Sequence, residues 1–213
     1  MLDDLVEALR AADTLPRTPD EARLLIQTCQ LVATGQPVSE KQVAHIASDL
    51  HIPLASVTTF LARVSEFDAD GNVVGIMGLS QNAHPHRFRI ADRLLSTWCA
   101  WDALYLPPLL RVTAQVETTC PMTTTPIRLM VTPVRVEYHQ PSSTVLSFVV
   151  PPATQQPQQS VQETWRSFCC DVLFFSSAEA ASEGFKNKPY APIILSIEDG
   201  YRLGQKALGD IVS

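Results

Sequence analysis

Apolar positions over the first third of the chain recur at helical spacing. Leu24, Leu25, Thr28, Leu31 and Val32 form one stripe. Val43, Ile46 and Ala47 form a second, and Val57, Phe60, Leu61 and Val64 a third. These stripes predict helices over 20–33, 39–49 and 54–66, preceded by a short one over 2–10. Pro19 and the acids Asp20 and Glu21 mark the start of the first long helix, and Gly35 follows its end. Ser39 is placed to cap the next. Asp70-Gly71-Asn72 then reads as a tight turn, and 73–79 is expected to pair with 87–90. Helices followed by a small hairpin predict a winged-helix-like unit over residues 1–80.

The pattern changes after residue 90. Residues 92–106 read as a helix stopped by Pro107-Pro108. Strand-like stretches follow at 112–117, 127–132, 134–139 and 144–150, and strand character resumes over 165–175. A helix over 178–186, a strand over 193–197 and a closing helix over 202–211 complete the reading. The segment PPATQQPQQS, 151–160, is expected to be an exposed loop. The predicted fold class is α+β: the N-terminal winged-helix-like unit packed on a C-terminal mixed β-sheet domain with flanking helices, residues 81–213. No strand order follows from the sequence.

Composition narrows the function. The chain has 213 residues, 46% of them hydrophobic and 18% charged, so it can bury a core and does not resemble a disordered tail. Its net charge of −6 sits entirely in the first 80 residues, which hold 11 acidic and 5 basic side chains. That argues against DNA as a partner, because phosphate contacts come mainly from Lys and Arg. The helix over 54–66 has only Arg63, with Glu66 beside it. A packing or lid module fits this charge better. No apolar run approaches the ~20 residues of a membrane span, and the acidic start Met-Leu-Asp-Asp is unlike a signal peptide. A cytoplasmic protein with no membrane partner is the expectation.

Candidate chemistry rests on cysteine. The five cysteines, Cys29, Cys99, Cys120, Cys169 and Cys170, include no CxxC pair and do not resemble a disulfide framework. In WCAWD, 98–102, a helical reading puts Cys99 and Asp102 on one face, one turn apart. Trp98, Trp101 and Tyr105 would surround them with apolar bulk that favours holding a proton on the pair. In FCCD, 168–171, an extended backbone would turn Cys169 and Cys170 to opposite sides, so that one of them could join Cys99. Two thiolates from separate elements make a site for a soft metal. Buried core cysteines are the plainer reading of each motif. Cys120, before a threonine-rich turn, and Cys29, near an apolar stripe, read as structural. His84-Pro85-His86 reads as a solvated turn. A thiophilic-metal-responsive regulator without catalysis, and a structural zinc protein using Cys99, Cys120, Cys169 and Asp102 or Cys170, are the alternatives.

The motifs together resemble the organomercurial (alkylmercury) lyases of bacterial mercury resistance. The resemblance rests on LLSTWCAWDAL at 94–104, Thr119-Cys120, SFCCDVLFF at 167–175, EFDADGNVVG at 66–75, and 193–205 with Glu198 and Gly204-Gln205. It spans roughly residues 20–206, and WCAxD with a distant SFCC is its specific part. It implies protonolytic cleavage of the carbon–mercury bond of alkyl- and arylmercury compounds. Cys99 and Cys169 would capture mercury, while Asp102 would accept thiol protons and return one to the leaving carbon. Cys99, Cys169 and Asp102 would then hold the Hg(II) product. Cys120 is structural in this picture and Cys170 dispensable. Trp98, Trp101, Tyr105 and Phe168 are candidate walls for the organic group. The resemblance further implies no required cofactor, since mercury enters as substrate. Low-molecular-weight thiols or a mercuric reductase would receive the ion. The sequence departs from the family pattern at Asp171 and Leu173, where the family carries histidines.

Overall fold

The structure is a computed structural model that describes residues 1–12, 15–150 and 160–212. All but the last residue of the predicted loop at 151–160 lies outside the described residues. Four helices open the chain: α1 (Leu2–Ala11), α2 (Pro19–Val32), α3 (Glu40–Asp49) and α4 (Leu54–Val64). Their starts follow local chemistry. The Thr18 side chain accepts the Glu21 N–H ahead of Pro19, and Ser39 with Gln42 closes a capping box. The predicted stripes face inward and join one continuous core with the sheets.

Five strands follow: β1 (Ser65–Phe67), β2 (Val73–Ile76), β3 (Leu79–Ser80), β4 (His86–Ile90) and β5 (Arg93–Thr97). Beyond them lie α5 (Asp102–Leu110), β6 (Ala114–Thr119), β7 (Pro126–Val131), β8 (Val136–Gln140) and β9 (Val145–Phe148). The chain closes with α6 (Val161–Ser167), a 3-10 turn (Cys169–Asp171), β10 (Phe174–Phe175), α7 (Ala178–Gly184), β11 (Ile193–Ser196) and α8 (Ile197–Val212). The larger sheet has the order β1-β2-β3-β5-β4-β6-β7-β8, and a smaller one runs β10-β9-β11. The α+β class holds, but every strand pairing among the described residues is antiparallel rather than mixed. The larger sheet runs through residue 80, with β1–β3 before it and the other strands after. Helix α8 packs against α1 and α5.

Three local expectations are corrected. Residues 93–97 form strand β5, not the start of a helix, held by antiparallel pairing with β3 and β4. The helix begins only at Asp102 and runs through Pro107 and Pro108, whose carbonyls accept from Val112 and Arg111. Strand β2 does not pair with β4. It folds back at Met77-Gly78 onto β3, and β4 lies between β5 and β6. Strand character over 165–175 is confined to Phe174–Phe175 of β10: α6 occupies 161–167, started by a Ser160–Glu163 capping box, and the cysteine pair sits in the 3-10 turn.

Candidate active site

Strand β5 feeds a turn, residues 98–101, that carries Cys99 to the start of α5. Backbone hydrogen bonds fix this turn on two sides. Trp98 N–H donates to Gly78 O at 2.9 Å, and Ala100 N–H donates to Val172 O at 2.9 Å. The second bond ties the Cys99 turn to the segment just past Cys169. That segment is also held from beneath by buried Ser147. Its Oγ donates to Asp171 O at 2.8 Å and accepts from Leu173 N–H at 3.0 Å. Two cysteines remote in the chain are thereby brought close enough for the Cys169 thiol to act on the protonation of Cys99. Cys99 is 0% exposed and Cys169 3%.

Asp102 completes the cluster, although its contact with Cys99 is not the helical one expected. It is the first residue of α5, and its Oδ2 accepts the Cys99 backbone N–H at 2.7 Å. Burial pushes the Asp102 carboxyl up to about 7, against the hydrogen bond from the Cys99 N–H, the nearby Cys99 thiol and Tyr105 hydroxyl, and the weaker field of His84. Burial likewise pushes the Cys99 thiol up, reinforced by the neighbouring Cys169 thiol and by the nearby carboxylate. Tyr105 is raised by burial and by Asp102, and its hydroxyl donates to Met77 O. Near neutral pH this low-dielectric cluster holds the protons on Cys99 and Tyr105, with the carboxyl close to half-protonation.

The approach of Asp102 depends on Gly78. This residue has φ +91°, and a Cβ there would fall 2.3 Å from the Asp102 Cγ. Only glycine combines that conformation with that contact. Neither Gly78 nor Met77 was singled out from the sequence. A glycine inside a predicted strand, 73–79, was the available signal.

A cavity of about 40 Å³ opens beside the cluster. Trp98, Trp101, Tyr105 and Phe168, all expected as walls, line it with Asp102 and Cys169. Leu15, Thr164 and Leu208 from distant elements were not foreseen. Trp101 is held by its indole N–H on Gly200 O at 3.0 Å and by edge-on packing with Tyr105, Phe148 and Phe168. The indole N–H of Trp98 is buried without a hydrogen-bond partner.

The other candidates lie elsewhere. Cys170 is only partly buried and its thiol donates to Arg166 O at 3.1 Å. Cys120 anchors the 120–125 turn, its N–H on Thr125 O and its carbonyl accepting from Thr124 N–H. Burial raises its thiol, but hydrogen bonds from Ser176 and Thr123 outweigh this and bring it down to about 7. Cys29 is buried against Ile76 O. The histidine pair is not a solvated turn: His84 bonds Glu66 at 2.9 Å, and His86 is buried edge-on against Phe174. Asp171 is largely buried, paired with Lys188 Nζ at 2.9 Å and hydrogen-bonded by the Tyr190 hydroxyl. Among the described residues no three His, Cys, Asp or Glu side chains are arranged to hold a metal ion. The structure therefore gives the zinc alternative no ligand set there.

Known proteins resemble this chain over most of its length. A sequence model of the alkylmercury lyase (MerB) family matches residues 79–209. The alkylmercury lyase of Streptomyces lividans is 34% identical over 176 residues, 83% of this chain and 77% of that protein. The alkylmercury lyase of Pseudomonas putida is 31% identical over 208 residues, 95% of this chain and 92% of that protein. Among solved structures, the mercury-bound form of MerB2 superposes with a TM-score of 0.75 at 23% identity, covering 100% of this chain and 98% of that one, a likeness of fold.

Proposed function

The chain belongs to the alkylmercury lyase family and is an enzyme that cleaves carbon–mercury bonds; we propose that Cys99, Cys169 and Asp102 carry the reaction. The observation that supports these roles is that buried Cys99 adjoins both the Cys169 thiol and the Asp102 carboxyl, and that Asp102 and Cys169 line one apolar cavity.

The carbon–mercury bond resists water, yet mercury is a soft acid that seeks thiolate. As an R–Hg⁺ substrate enters, the Cys99 sulfur bonds to mercury and its proton passes to Asp102. The Cys169 sulfur then adds, releasing a second proton. Two sulfur donors push electron density through mercury onto its carbon, which becomes basic enough to take a proton from Asp102. One thiol proton leaves as part of R–H and the other goes to solvent, while Hg(II) stays on the two sulfurs with an Asp102 oxygen beside it. A carboxyl poised near 7 suits a group that must both accept and donate. The aromatic walls exclude water and strengthen this exchange.

Cys120 and Cys170 have structural or secondary roles in this reading, in keeping with their separate hydrogen-bond partners. No resident cofactor is required. Small thiols, or a mercuric reductase, would remove the ion. Residues 1–80 act as a winged-helix-like cover that contributes Met77 and Gly78 to the site and does not read DNA. Arg63 of α4 is engaged with Glu21 at 3.0 Å. No helix among the described residues is long and apolar enough to cross a membrane, and we assign the protein to the cytoplasm. The test is release of R–H and Hg(II) from phenylmercury or methylmercury in excess thiol. Cys99→Ala and Asp102→Ala should each abolish turnover, and normal activity in both would refute the assignment.

A further inference from the structure

The cavity beside Asp102 and Cys169 is small. Its volume of about 40 Å³ suits a methyl group, whereas benzene is accommodated by an apolar cavity of about 150 Å³. A second cavity of about 250 Å³ lies between α5 and α8, and Tyr105 and Leu208 line both spaces. Its remaining walls are Pro108, Leu109, Gly204, Gln205 and Gly209. The one polar side chain that belongs to it alone is already engaged, with the Gln205 amide donating to Tyr201 Oη at 3.1 Å. Gly204 sets the spacing of the helices: a Cβ there would fall 2.5 Å from the Tyr105 Cβ.

We infer that the α5–α8 cavity is the compartment for aryl and longer alkyl groups of the substrate, joined to the mercury site by movement of Leu208. The inference deepens the lyase reading and rests on it. Mercury held by Cys99 and Cys169 would leave its carbon in the small cavity, within reach of Asp102. Anything larger than a methyl must continue past the shared wall. Leu208 is the wall member able to yield, since it has no polar atom to anchor it, while Tyr105 is fixed by its hydrogen bond to Met77 O. A mostly apolar lining would favour a hydrocarbon over water.

Gly209 offers the test. It lies on the cavity wall, and a Cβ there meets nothing within 4 Å, so the first atom of a side chain can be added without collision. Methylmercury and phenylmercury are compared by kcat/KM in excess thiol, using the full chain and the variants Gly209→Ala and Gly209→Trp. Gly209→Ala should match the parent on both substrates. Gly209→Trp should keep methylmercury turnover, which also reports correct folding, and lose about tenfold or more on phenylmercury, the scale on which pockets discriminate by size. If Gly209→Trp does not fold, Gln205→Trp on the same wall should shift the ratio in the same direction. A ratio unchanged in the folded variant, or equal losses on both substrates, overturns the compartment while leaving the lyase reading intact. A parent protein that cleaves neither substrate overturns that reading and the inference with it.

Discussion

Replacing Asp102 by Asn should stop turnover and at the same time stabilise the fold at neutral and alkaline pH. The carboxyl has its ordinary pKa of 3.8 in the unfolded chain and is raised to about 7 in the folded one. Between these values the folded state binds one more proton than the unfolded state, so stability falls as pH rises, by about 1.4 kcal/mol per unit. Below pH 3.8 both states are protonated and the penalty vanishes. Above 7 it is complete, at about 4 kcal/mol by the same constant. Asparagine is neutral throughout and its carbonyl oxygen can still accept the Cys99 N–H. Its amide hydrogens need acceptors in a buried site, at a cost of about 1 kcal/mol. Urea unfolding under reducing conditions at pH 4, 6 and 8 should find the variant slightly less stable at pH 4 and about 3 kcal/mol more stable at pH 8. Other titrating groups cancel in the difference between the two proteins. A stability difference that stays flat with pH would refute the claim that this carboxyl is buried without charge compensation.

Gly78→Ala places a methyl against Asp102 in a left-handed conformation and should cost about 3 kcal/mol in urea unfolding, together with most of the turnover. Ser147→Ala removes the hydrogen bonds that hold the Cys169 turn; a loss of about 1–2 kcal/mol is expected, with slower alkylation of Cys169 or faster alkylation, but not an unchanged rate, by a thiol reagent under native conditions. Cys170→Ser should retain turnover near that of the parent, because its thiol faces Arg166 O, whereas Cys169→Ser should lose it. Steady-state assays on phenylmercury separate these two variants.

The helical face of the first third of the chain was legible because end signals and apolar stripes agree there: Pro19, Ser39 and the inward-facing Val57, Phe60 and Leu61 all act locally. The region that builds the site was harder. Leu94, Leu95, Trp98, Trp101, Leu104 and Tyr105 match helical spacing, but β5 is set by pairing with β3 and β4, a non-local interaction. The Ser160–Glu163 capping box that starts α6 went unread, and the residues after it were expected to be a strand. Cys99, Asp102 and Cys169 stood out by residue type, and their meeting depends on long-range bonds such as Ala100 N–H to Val172 O that no spacing reveals. Met77, Gly78 and Leu208 reach the cavity only through the tertiary fold.

X-ray absorption at the mercury edge, on protein carrying one equivalent of Hg(II), addresses the two-sulfur capture at the centre of the mechanism. Two sulfur neighbours at about 2.3–2.5 Å, by extension from zinc–thiolate distances, are predicted, with one of them lost in Cys99→Ser and in Cys169→Ser alike. An unchanged sulfur shell in either variant would place the metal on other thiols and contradict the account.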